Sequence, residues 1–159
     1  MNRGLLCGLL VVLISLALIV GNSGTVNASA DYSYLISVAE VQSITGFNQI
    51  TVKLMDSKKS GEANDLAFST AGKLFLGIQV LKGSDYDRYY EEFRCQDYKP
   101  MPYAFWGPKT ATPENPPDQL WFRKGDMLIF VASYQDSQNK PFLTVEMMEN
   151  IAAKIALKI

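Results

Sequence analysis

The same pattern occurs twice in this chain: two predicted strands joined by a short turn. In the first stretch the runs are residues 66–69 and 74–81, and in the second they are residues 119–123 and 127–134. Alternation of apolar and polar residues predicts strands with one buried face. A short connection that contains glycine predicts a hairpin. The chain is therefore constrained towards antiparallel strand pairing.

One more strand is predicted ahead of each hairpin, and one helix after it. Residues 47–55 alternate as a half-buried strand, and a shorter strand is expected at residues 103–106. Helices are expected at residues 84–94 and 145–158, where apolar side chains recur at helical spacing. The positions expected to face the core from the first strand are Ile50, Val52 and Leu54.

A short helix is predicted before both units. Ser37 and Glu40 have the spacing of a capping box, and Gly46 suits the left-handed residue that ends a helix. By the same logic Ser84 is expected to cap the helix that follows the first hairpin. The predicted order is one helix and then strand-strand-strand-helix twice.

This order predicts an α+β domain in which an antiparallel sheet carries its helices on one face. The two units also resemble each other in sequence, since Leu66-x-Phe68 before a glycine turn matches Leu120-x-Phe122 before another. An internal duplication would explain the likeness. The alternative is that any two hairpins with alternating apolar residues look alike.

Residues 1–30 have the layout of an export signal. Arg3 precedes an apolar run at residues 5–20, and the stretch ends in Ala28-Ser29-Ala30, an A-x-A cleavage pattern. Cleavage would leave a single domain at residues 31–159. The alternative is a retained membrane anchor, although sixteen helical residues span only about 24 Å of a hydrocarbon core of about 30 Å. The predicted location is secreted or extracytoplasmic, in the cell envelope.

Composition narrows the chemistry of the exported part. Its 14 basic and 16 acidic residues give a net charge of −2, which argues against a nucleic-acid partner. The chain has no histidine, and Cys95 is the one cysteine after residue 30. Histidine-dependent nucleophiles, an internal disulfide and zinc or copper centres are therefore disfavoured. We expect no cofactor, no metal and no catalytic residue.

Three weaker signals are given structural interpretations. Cys95 follows a predicted helix that carries nearby acidic residues, so it lacks the cationic surroundings of a reactive thiol. The acidic group at residues 85–92 is interpreted as a solvated helix face in which Arg88 pairs with Glu92. The segment 136–139 lacks the glycine and distal glutamate of a calcium loop, so a turn is expected there.

An aromatic group next to a proline-rich stretch gives the candidate binding residues. Aromatic side chains on stiff loops provide large contact area at low entropic cost, which suits recognition of a protein, a glycan or a small hydrophobic ligand. The alternative is that these side chains fill the end of the sheet core. The candidates are Tyr98, Tyr103, Phe105, Trp106 and Trp121.

The chain resembles small secreted or lipid-anchored envelope domains of prokaryotes, many of unknown function. The likeness rests on the capped helix from Ser37 to Gly46, the Ala-Phe-x-Gly-Pro turn at 104–108 and Phe-Arg-Lys-Gly at 122–125. It implies a fold and a compartment without a chemistry. The predicted function is an exported, non-catalytic binding module. A hydrolase that uses carboxylates alone and a purely structural envelope protein are the alternatives, and the membrane is a partner only through residues 5–20 if these are retained.

Overall fold

Six strands form one antiparallel sheet in this protein, as described by a computed structural model. The structure describes residues 32–54, 65–98 and 101–159, all within one unit, Asp31–Ile159. The strand order across the sheet is β1-β2-β3-β6-β5-β4. The strands are β1 (Ile50–Leu54), β2 (Leu66–Thr70), β3 (Lys73–Lys82), β4 (Ala104–Gly107), β5 (Gln119–Lys124) and β6 (Met127–Ser133).

Both predicted hairpins are present, and their inner strands meet at the centre of the sheet. The turns between β2 and β3 and between β5 and β6 contain Gly72 and Gly125 at positive φ, which only glycine adopts without strain. β3 then pairs with β6 over seven residue pairs, from Leu76 opposite Ser133 to Lys82 opposite Met127. The α+β class and the antiparallel sheet are confirmed.

Within the described ranges, three α-helices cover this sheet from both sides. They are α1 (Val38–Thr45), α2 (Tyr86–Phe93) and α3 (Val145–Ala156). α1 and α3 contact each other and pack on the main core, on one face of the sheet as predicted. α2 departs from the predicted one-face arrangement, because it packs on the opposite face. The reason lies in β5 and its neighbours, whose side chains are apolar on both faces. Leu120 and Phe122 enter the main core, while Trp121 between them points to the other side and needs its own cover.

The likeness between the two units extends to their strands. A two-fold axis perpendicular to the sheet, between β3 and β6, would exchange the two sets of three strands. Such an axis keeps each face of the sheet on its own side. Because α2 and α3 lie on opposite faces, the helices do not follow this symmetry.

Local capping explains where two helices begin and corrects one prediction. Ser37 and Glu40 form the predicted capping box, and Gly46 ends α1 with φ 71°. Thr144 caps α3 by accepting a hydrogen bond from the Met147 N–H. Ser84 does not cap α2, because it lies inside a 3₁₀ turn, Gly83–Asp85, that leads straight into the helix.

The remaining N-terminal and loop predictions concern parts of the chain that fall outside the described residues. These are the export segment at residues 1–30 and the polar loop at residues 56–64. Within the described ranges, no helix is long and apolar enough to cross a membrane.

Candidate functional site

The five candidate aromatic residues separate into three environments. Phe105 and Trp121 are fully buried between α2 and the sheet. Trp106 is buried in the main core on the other face, where Tyr98 packs against the same core. Tyr103 alone of the five is open to solvent, with 71% of its surface exposed. The structure therefore does not bring these residues together into one recognition surface.

The prediction of an exposed binding role is corrected for three of the candidates. These are core residues: Phe105, Trp106 and Trp121. Successive strand residues point to opposite faces, so a strand with one covered face exposes every second side chain. Here both faces are covered near β4 and β5, and neighbouring aromatic residues are all buried. The core alternative describes these three side chains.

The second core is built around the Trp121 ring. Tyr89 stacks on it at 4.8 Å between centroids, and Phe93 and Phe105 lie parallel to it at 5.5 and 5.8 Å. Phe130 of β6 approaches it at 4.2 Å. The aromatic stripe of α2, visible in the sequence as helical spacing, thus packs on the sheet.

The outer edge of β4 is closed by the chain itself. Ala104 exchanges both backbone hydrogen bonds with Met101, at 3.1 and 3.0 Å. The Trp106 carbonyl accepts a hydrogen bond of 2.7 Å from the Cys95 N–H. These contacts use the backbone groups to which another strand would bind, so this edge is protected against strand addition.

The β1 edge, unlike the β4 edge, is open to solvent among the described residues. β1 ends the strand order, and no described residue pairs with its outer side. Four of its five residues are exposed, including Val52 and Leu54, with 43% and 54% of their surfaces open. These two side chains lie on the main-core face, because they pair with the core residues Phe68 and Leu66 of β2. The apolar face of the sheet therefore extends past its helical cover.

A groove of about 400 Å³ lies between this part of β1 and the start of α1. Lys53 is its one charged lining residue among the described ones, and Tyr34 nearby in the chain is 51% exposed. An open sheet edge beside an apolar groove is suited to binding an extended segment. The described lining residues are Ser33, Ile36, Ser37, Val38, Val52, Lys53, Leu54 and Leu66.

Sequence reasoning missed this groove, because it predicted that Val52 and Leu54 face the core, whereas both are exposed. Alternation identifies which residues share a face, but it carries no information on whether a helix covers that face. α1 is only eight residues long, and the exposure of Val52 and Leu54 shows that its cover is incomplete. The shortness of that helix, fixed by Ser37 and Gly46, is the one sequence signal that pointed here.

The residues considered for chemistry have structural surroundings. The Cys95 thiol is buried and donates to the Ala111 carbonyl at 3.2 Å. Arg88 was predicted to pair with Glu92, but its ion pair is with Asp85, at 3.9 Å. The Asp136 carboxylate accepts from two backbone N–H groups that follow it, as in a turn, and this lowers its pKa. The described residues contain no group of three side chains placed to hold a metal ion.

Comparison with known proteins finds no matching family model, no matching curated protein and no matching solved structure. The resemblance to prokaryotic envelope domains therefore stays a prediction. The evidence for a candidate binding site is therefore the groove between β1 and α1 and the open edge of β1.

Proposed function

We propose that this protein is a non-catalytic binding module of the cell envelope and that it binds an extended segment of a partner protein along β1. The observation that carries the proposal is the open β1 edge, with Val52 and Leu54 exposed beside an apolar groove. Exposed apolar side chains that share one strand face mark interaction sites more often than scattered ones do.

The physical basis is strand addition. Along an antiparallel edge, every second residue presents its N–H and C=O groups outwards, and a partner strand satisfies them. The partner's side chains on the main-core face would meet Val52, Leu54 and the groove, so apolar residues at every second position are favoured. The opposite face of β1 carries Thr51 and Lys53, which favours polar or acidic residues in between.

The groove does not offer the chemistry of the hydrolase alternative. A hydrolase that uses carboxylates alone needs two carboxyl groups with different pKa values in one enclosed pocket. The described lining residues of the groove include no carboxylate.

A peptide library displayed on phage and selected on the immobilised protein tests the proposal. We expect the recovered peptides to alternate apolar and polar residues, and Leu54→Asp to weaken their binding at least tenfold. Leu157→Asp is the matched control, because Leu157 is also exposed, at the end of α3, and does not line the groove. Recovered peptides without alternation, or equal loss in both variants, would contradict the proposal.

A further inference from the structure

The sequence of β1 is complementary to a second copy of itself. When two copies of a strand pair antiparallel about a two-fold axis perpendicular to the sheet, each side chain meets one from the same face. An axis at the middle residue of β1 pairs all five of its residues. The pairs are Val52 with Val52, Ile50 with Leu54, and Thr51 with Lys53.

The apolar pairs of this arrangement lie on the main-core face. Val52 and Leu54 are exposed on that face, and Ile50 already packs against the main core. In the paired sheet Val52 meets its own copy, and Leu54 meets the Ile50 of the second copy. Apolar side chains directly opposite each other stabilise neighbouring strands. The pairing would therefore remove from water the apolar surface that the helices of one copy leave open.

Two residues favour this register over its neighbours. An axis at Lys53 would place two ammonium groups directly opposite each other, which destabilises a strand pair. An axis at Thr51 would place Lys53 opposite Gln49, whose φ of 55° takes the backbone out of the extended conformation. The axis at Val52 avoids both conflicts, because Lys53 then faces the hydroxyl of Thr51.

The other edge of the sheet does not offer a second site for such pairing. Backbone groups on the outer side of β4 are already bound by Met101 and Cys95. Among the described residues, each copy thus presents one open sheet edge, and that edge meets the same edge of its partner. A contact in which both copies use the same surface is closed at two copies. It does not propagate into the open-ended association that exposed strand edges otherwise risk.

We propose that two copies of this protein pair reversibly through β1, antiparallel about Val52, so that their sheets become continuous. The inference rests on the proposed function in one respect, since both require the open β1 edge to accept a strand. Five residues from each copy make a small contact, and small interfaces form weak and transient complexes. The edge is therefore free in dilute protein, and a peptide that binds β1 competes with the second copy.

Disulfide trapping tests the pairing and its register. Val52→Cys would bring two thiols onto directly opposite positions, where Cα atoms lie about 4.5–5.5 Å apart, within the reach of a disulfide. Thr51→Cys is the matched control, because Thr51 is an exposed neighbour that lies diagonal to its own copy, at about 7–8 Å, beyond that reach. After mild oxidation we expect a covalent dimer of Val52→Cys. Thr51→Cys should remain as unlinked as the parent protein, whose Cys95 is buried.

Failure to link Val52→Cys, or equal linking of Thr51→Cys, would overturn the proposal. Sedimentation velocity of the parent protein at rising concentration then separates it from the proposed function. We expect a reversible dimer that the phage-selected peptide dissociates and that Leu54→Asp abolishes, whereas Leu157→Asp keeps it. Peptide binding to a protein that stays monomeric at every concentration would overturn self-pairing alone. A dimer for which no peptide is recovered would support self-pairing and contradict the proposed function.

Discussion

At the scale of single residues, two aspartates show how surroundings decide the effect of a charge. Asp118 is half-buried just before β5, and desolvation raises the pKa of its carboxyl group, although a 3.1 Å hydrogen bond from Gln135 opposes the rise. Its Oδ1 has no partner among the described residues. Asp136 is half-buried in a turn, and hydrogen bonds from two backbone N–H groups lower its pKa. The charged carboxylate of Asp118 therefore destabilises the fold at neutral pH, whereas that of Asp136 stabilises the turn that follows it.

The substitution Asp118→Asn should therefore raise the melting temperature at pH 7 by a few degrees. A carboxyl group with a raised pKa favours the folded state below its unfolded pKa of about 4, and this contribution is lost as the pH rises through the folded value. The neutral amide avoids that loss, because its oxygen can still accept from Gln135. Thermal melts between pH 3 and pH 8 should show a gain that disappears at the acidic end.

Asp136→Asn serves as the control with the opposite sign. It weakens the acceptor of the two turn N–H groups, so no gain is expected at pH 7. If Asp118→Asn lost stability at neutral pH, burial could not be the dominant influence on its carboxyl group.

At the scale of elements, the short strand β4 joins the two cores, as β5 and β6 also do. Its residues alternate between them, with Phe105 below α2 and Trp106 in the main core. Its outer edge is held by Met101 and Cys95. This four-residue strand is therefore part of the core, although the proline-rich stretch around it has the composition of a loop.

Trp106→Ala tests this role for β4. The side chain is only 4% exposed, so its removal should leave a cavity and cost about 3–5 kcal/mol, which lowers the melting temperature sharply. Tyr103→Ala, three residues earlier and exposed, should change the melting temperature little. Chemical denaturation of both variants measures the difference, and similar stabilities for the two would contradict the assignment of Trp106 to the core.

At the scale of the whole molecule, local sequence patterns predict the features that depend only on neighbouring residues, such as helix caps and turns. The capping box at Ser37 and the glycine turns at Gly72 and Gly125 depend on neighbouring residues, and all three are present. The side of the sheet that α2 covers depends instead on Trp121, far away in the chain, so the pattern of the helix alone does not reveal it. The same holds for the open face of β1, since the exposure of Val52 depends on how much of the sheet α1 covers.

Hydrogen exchange of the β1 backbone amides tests most directly whether the open β1 edge binds an extended segment. The exchange of residues 50–54 is measured in the free protein and with the tightest peptide recovered from the phage library. We predict that every second amide of β1 exchanges fast when free and becomes protected by at least tenfold with the peptide. Unchanged exchange along β1, with protection confined to another part of the described fold, would contradict the claim.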